Sequence, residues 1–149
     1  MTFRHILVAT DFSDSAERAV EVAIEMARKF DAELTVVHVW DVPPTGYGAL
    51  YLPGDLATPL HKAAAAALAK AGGTVCKVLP RAQTSLRQGL DRQEILAGAE
   101  QAHADLIVVG THGRRGLSRA LLGSVAERVV RLSPVPVLTI HATTAAKAS

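Results

Sequence analysis

The sequence predicts an α/β fold, a doubly wound parallel sheet of five strands with helices on both faces, Rossmann-like in plan. Three observations predict it. Strand-like and helix-like segments alternate from residue 6 to residue 140, the order that builds a parallel sheet. The strand-like runs, Ile6-Leu7-Val8-Ala9 and Asp105-Leu106-Ile107-Val108-Val109-Gly110 above all, are continuously apolar, as strands covered on both faces are. The helix-like segments repeat apolar residues at intervals of three and four, which gives each a single buried stripe.

The first strand, residues 6–9, ends at Thr10-Asp11-Phe12-Ser13, where polar residues turn the chain. A helix follows with Ser13 or Asp14 as N-cap, and Asp14 with Glu17 has capping-box spacing. Ala16, Ala19, Val20, Ala23, Ile24 and Ala27 form its stripe. Residues 33–40, rich in β-branched side chains, are the second strand, which completes a right-handed βαβ unit. Residues 41–60 carry Pro43, Pro44, Gly46, Gly48, Pro53, Gly54 and Pro59 and are expected to be a long loop, of the kind that serves as a lid or stays disordered. A helix of high intrinsic propensity begins at Ala63. Gly72-Gly73 would normally stop it, yet helical spacing continues through them to Leu79; residues 74–79 are alternatively a strand. The third strand is placed at residues 82–88, followed by a turn at Gly89. Asp91 and Glu94 have capping-box spacing and open a helix with Ile95, Leu96, Ala99 and Ala102 inward. The fourth strand spans residues 105–110. Ser124 and Glu127 repeat the capping-box spacing ahead of Val125, Val129, Val130 and Leu132, with Ser124 expected as N-cap. Pro134 and Pro136 close that helix, and residues 135–140 are the last strand. Residues 1–141 thus read as one domain, and the alanine-rich residues 142–149 as a disordered tail.

Composition excludes several classes. A net charge of +2 with dispersed basic residues argues against nucleic acid, whose binders concentrate Lys and Arg on one face. Cys76 stands alone, so neither an intrachain disulfide nor a cysteine-rich metal site is available, and a reducing compartment fits. The N-terminal residues lack the apolar run of a signal peptide, and no stretch approaches the roughly 18 apolar residues that cross a bilayer. The expected location is cytoplasmic, with neither nucleic acid nor membrane as partner.

Doubly wound sheets bind ligands beyond the carboxyl ends of their strands, where strand order reverses. Two segments meet that condition. One is Ala9-Thr10-Asp11; the other follows strand four, Val109-Gly110-Thr111-His112-Gly113 through Gly123-Ser124-Val125. Glycines let a backbone approach an anion closely, and a following helix offers unpaired N–H groups and the positive end of its dipole. That dipole is worth about 0.3–1 kcal/mol, up to ~2 when partly buried. A micromolar ligand needs roughly 8 kcal/mol. Phosphate contact therefore cannot suffice, and an apolar slot for a base with polar groups for a ribose must accompany it. Ala9 and Val39 are placed to line the slot, and Asp11 to accept from ribose hydroxyls.

The spacing Gly110-x2-Gly113-x9-Gly123-Ser124 resembles the nucleotide-binding signature of the ATP-binding branch of the universal stress protein family. The opening Ile6-Leu7-Val8-Ala9-Thr10-Asp11-Phe12-Ser13 and the ending Ser133-Pro134-Val135-Pro136-Val137-Leu138 are also similar to that family's. The agreement covers nearly the whole chain and departs mainly at residues 41–60 and 72–82. The resemblance implies strand order 3-2-1-4-5. It implies ATP as ligand, with Mg²⁺ or Mn²⁺ carried by the phosphates rather than by a protein cage. The implied site is Ala9, Thr10, Asp11, Val39, Val109, Gly110, Gly113, Gly123, Ser124 and Val125. It also implies a homodimer through the last strand, Val135 to Ile140, and an apolar strand at a sheet edge does need cover.

Plainer roles compete. Gly110 could merely end a strand, and Asp11 could stabilise the turn into the first helix. Arg114, Arg115 and Arg119 are more in keeping with a solvated loop than with a phosphate clamp. His38 suits a hydrogen-bonded core histidine, and sequence position alone assigns His112 no Ser, Cys or carboxylate for a catalytic set. No Walker lysine follows the glycines. The expectation is a nucleotide-dependent regulatory dimer of the stress response, the alternative a slow ATPase or nucleotide-transfer enzyme at the same site with unassigned catalytic residues.

Overall fold

The computed structural model describes residues 1–42, 55–112 and 122–142. Nine elements follow in order: β1 (His5–Ala9), α1 (Asp14–Phe30), β2 (Glu33–Trp40), α2 (Ala57–Val78), β3 (Gln83–Gln88), α3 (Asp91–Gln101), β4 (Leu106–Gly110), α4 (Ser124–Leu132) and β5 (Val137–Ile140). The strands form one parallel sheet in the order β3-β2-β1-β4-β5. The chain therefore runs outward from β1 to β3, crosses back, and continues from β4 to β5. The reversal leaves a crevice at the carboxyl ends of β1 and β4.

Alternate side chains of the inner strands enter two cores. On one face Ile6, Val8, Leu34, Val36, Leu106 and Val108 pack against Ala19, Ala23 and Ala27 of α1 and Leu68 and Val75 of α2. On the other, Leu7, Val37, Ile107 and Val109 meet Ile95 and Ala99 of α3 and Ala126 and Val129 of α4. Each fully buried Ile, Leu or Val contributes about 1.5–3 kcal/mol. The strands need apolar residues at consecutive positions because both faces are covered. The alanine stripe of α1 keeps that helix close to the sheet.

Four expectations are corrected. The second helix starts at Ala57, not Ala63, because Pro59 stands in its first turn, where a missing N–H costs no intrahelical bond. As the helical spacing allows, it runs through Gly72-Gly73 to Val78, and residues 74–79 are not a separate strand. A Cβ on Gly72 would lie 2.5 Å from Thr84 Cγ2 of β3, so this glycine lets helix and strand approach. The helices α3 and α4 begin one residue earlier than their capping-box patterns suggest. Leu90 O accepts from Glu94 N–H at 2.9 Å and Gly123 O from Glu127 N–H at 2.9 Å. Leu90 and Gly123 are thus the N-caps, with no side-chain cap bond, and Asp91 and Ser124 are the first helical residues. The last strand begins at Val137, not Val135. Ser133 Oγ takes both polar groups of Val135, accepting its N–H at 3.1 Å and donating to its carbonyl at 2.7 Å. All but the first residue of the expected tail 142–149, and residues 43–54 of the expected loop 41–60, lie outside the described residues.

Candidate functional site

A crevice of about 610 Å³ opens at the carboxyl ends of β1, β2 and β4. Nine of the ten sequence-predicted residues line it: Ala9, Thr10, Asp11, Val39, Val109, Gly110, Gly123, Ser124 and Val125. They come from four separated segments. The tenth, Gly113, lies outside the described residues, as do Arg114, Arg115 and Arg119.

The β1–α1 corner is held by its own polar groups. Thr10 N–H donates to Val37 O at 2.9 Å. Thr10 Oγ1 accepts from Phe12 N–H at 3.1 Å, and Asp11 Oδ1 accepts from Ser13 N–H at 3.0 Å. Phe12 takes φ 65°, a left-handed conformation uncommon for a non-glycine residue. It is kept there by those turns and by its ring, 4.5 Å from the His38 ring between centroids. Ser13 caps α1, its Oγ accepting from Ala16 N–H at 3.3 Å. Asp11 thus stabilises the turn and lines the crevice at once. His38 Nδ1 lies 2.8 Å from Thr10 O. A carbonyl can only accept, so Nδ1 carries the proton.

Acid groups collect on this side. Asp11, Asp41 and Asp91 all line the crevice together with His38. Asp91 has its pKa raised above 3.8, first by the protein that crowds its carboxyl and next by the Asp11 carboxylate; His38 opposes the shift and Asp41 adds to it. Sequence reasoning missed Asp91, Trp40 and the wall of α2 formed by Leu60, Ala63, Ala64 and Ala67. The Trp40 ring meets His61 edge-on at 5.3 Å, closing the corner between β2 and α2.

The opposite side is built from backbone. The first turn of α4 points at the crevice through Ser124, Val125 and Ala126, and helix geometry leaves those three N–H groups without intrahelical acceptors. The glycines nearby serve the protein's own packing. A Cβ on Gly110 would stand 2.6 Å from Ser15 Oγ and 2.8 Å from Ser15 C. One on Gly123 would stand 2.5 Å from Thr111 O, the atom that accepts the Gly123 N–H. Ser15 Oγ in turn donates to His112 O, tying the start of α1 to the segment after β4. The crevice thus gathers carboxylates, an apolar wall and the N–H groups of a helix terminus that have no intrahelical acceptor. That arrangement can hold a molecule with an apolar ring, hydrogen-bond donors and an anionic end. Among the described residues no group of three His, Cys, Asp or Glu side chains could hold a metal ion, and no helix is long and apolar enough to cross a membrane.

Known proteins share this plan. The model of the universal stress protein family matches residues 2–141. A universal stress protein of Methanocaldococcus jannaschii is 37% identical over 142 residues, covering 93% of this chain and 82% of that protein. Among solved structures, the universal stress protein UspA from Lactobacillus plantarum superposes with a TM-score of 0.79 at 30% identity, over 94% of this chain and 99% of that one. The universal stress protein from Archaeoglobus fulgidus in complex with dAMP matches with a TM-score of 0.64 at 28% identity, over 94% and 99% of the two chains.

Proposed function

The chain belongs to the universal stress protein family, and from that premise we propose that it is a nucleotide-dependent regulatory protein whose crevice binds ATP. One observation carries the reading. Nine candidate residues from four separate segments line a single crevice that also holds the first-turn residues of α4. The likeness to a family member solved with dAMP supports an adenine nucleotide as the ligand.

In this reading the base lies on the apolar wall of Ala9, Val39 and α2. The acid side, with Asp11, accepts from the donors of the nucleoside. The phosphates lie beside Val109 and Gly110, against Gly123 and the amides of Ser124 and Val125, where a helix N-terminus favours negative charge. Thr10 fixes the corner between these parts, and Gly113 belongs to the same cradle. Mg²⁺ or Mn²⁺ enters with the triphosphate, since such ions keep several waters and few protein ligands. Residues 1–141 act as one cytoplasmic domain. The edge strand β5, within the segment Val135 to Ile140, pairs with a second copy, which gives nucleotide occupancy an interface to act on. Native mass spectrometry of freshly purified protein should show bound adenine nucleotide. A nucleotide-free protein that ignores added ATP would refute the proposal.

A further inference from the structure

Thr111 is completely buried although it carries a hydroxyl. Its N–H donates to Ile140 O at 2.9 Å, and its carbonyl accepts from Gly123 N–H at 2.5 Å. One residue therefore ties the end of β4 to the end of β5 and to the start of α4. Its Oγ1 lies 2.9 Å from His112 Nδ1 and 3.0 Å from His141 Nδ1, with the two rings 6.1 Å apart between centroids. His112 lines the crevice. His141 follows the last residue of β5 and is exposed.

We infer that Thr111 is a positioning residue that makes the tautomers of His112 and His141 complementary, linking the anion end of the crevice to the end of the edge strand. A neutral imidazole has one N–H and one bare nitrogen, and a hydroxyl has one proton to give. Two bare Nδ1 atoms cannot both be served by that proton. Two Nδ1–H groups would leave the hydroxyl proton facing neither ring. Because Thr111 is fully buried, both contacts and the hydroxyl proton are all satisfied only when one histidine donates through Nδ1 and the other accepts. The rest follows from the anion reading of the crevice given above, on which this inference rests. An anion in the crevice that accepts from His112 Nε2–H leaves His112 Nδ1 to accept from Thr111, and Thr111 to accept from His141 Nδ1–H. All the bonds then point toward the anion, and hydrogen bonds aligned in a chain polarise one another. By linkage, a partner that engages His141 alters anion affinity by the same factor as the anion alters the partner's.

Long-range ¹H–¹⁵N spectra of histidine-labelled protein read the tautomers directly. The free protein should show one Nδ1–H and one Nε2–H histidine at this pair, and ATP should move His141 to Nδ1–H and His112 to Nε2–H. Thr111→Ser should behave as wild type. Thr111→Val should stop His141 from responding and weaken ATP roughly fivefold or more, the scale of a coupling between sites, with adenosine changed by less than about twofold. If Thr111→Val does not fold, His141→Phe at the exposed end should leave His112 as Nε2–H with and without ATP, because the buried Thr111 hydroxyl then donates to His112 Nδ1 in both states. Both rings on Nε2–H in the free protein, or a His141 that ignores bound ATP, would overturn the inference. A wild type that binds neither ATP nor adenosine would instead overturn the nucleotide reading. Inorganic phosphate then serves as the anion in the same spectra, and a His141 unmoved by it also overturns the coupling.

Discussion

Gly123 and Thr111 meet backbone to backbone: the Gly123 N–H donates to the Thr111 carbonyl at 2.5 Å, and any Cβ at position 123 would stand 2.5 Å from the same oxygen. The segment that starts α4 is thus pressed onto the segment that ends β4. Gly123→Ala should destabilise the fold by about 1–3 kcal/mol, the usual cost of overpacking. Thermal melts check this; an unchanged melting temperature would show that the contact yields freely. A bulkier residue at 123 removes fold and ligand together, so nucleotide loss in Gly123→Val would say nothing about where phosphates sit.

Gly110 repeats the relationship on the other side of β4. A side chain there would meet Ser15 Oγ at 2.6 Å and the Ser15 carbonyl carbon at 2.8 Å. Because backbone as well as side chain is in the way, Gly110→Ala should cost about 1–3 kcal/mol. Ser15→Gly should fail to restore it in a double mutant. Full rescue, measured by denaturant unfolding, would show that only the hydroxyl was in conflict.

The two serines at helix starts should differ. Ser13 caps α1 through its side chain, whereas Ser124 is the first helical residue of α4 and caps nothing. Ser13→Ala should cost about 1 kcal/mol, and Ser124→Ala should stay within about 0.5 kcal/mol in the absence of ligand. Equal losses in both would contradict the assignment of the caps.

Much of the fold was legible because the central strands are buried on both faces. That burial demands apolar residues without a break, and Ile6 to Ala9 and Leu106 to Gly110 supply them. The parts that escaped depend on contacts between distant residues. Gly72 looks like a helix stop until Thr84 of β3 is seen against it. The caps of α3 and α4 differ from the expectation because Leu90 and Gly123, whose side chains cannot cap, take the N-cap positions, and Asp91 and Ser124 are already helical. In the site, the spacing of Gly110 and Gly123 picked out a segment that lines the crevice, but packing alone already accounts for the two glycines. Glycine there answers first to Ser15 and Thr111. Asp91 and the α2 wall carried no local signal, since only the turn of the chain through β3 brings them to the crevice.

Asp91 gives the site a pH dependence. Its pKa is raised from 3.8 by crowding and by Asp11, so the folded protein holds that proton more tightly than the unfolded chain. Stability is therefore lost as pH rises from the unfolded value through the folded one. Asp91→Asn should be more stable than wild type at neutral pH, and the difference should vanish below the unfolded value. Melts in the two ranges check the sign; a variant less stable at neutral pH would contradict it.

The central claim is that the crevice between the acid corner and the first turn of α4 takes a nucleotide. Calorimetric titration of ATP against wild type and Ala63→Trp tests it most directly, because Ala63 lines the crevice from an exposed position on α2 and a larger side chain there fills the base slot. Wild type should bind one ATP per chain with roughly 8 kcal/mol, a micromolar affinity, and Ala63→Trp should bind at least about tenfold more weakly with its melting temperature unchanged. No binding to wild type, or equal binding to both, would contradict the account.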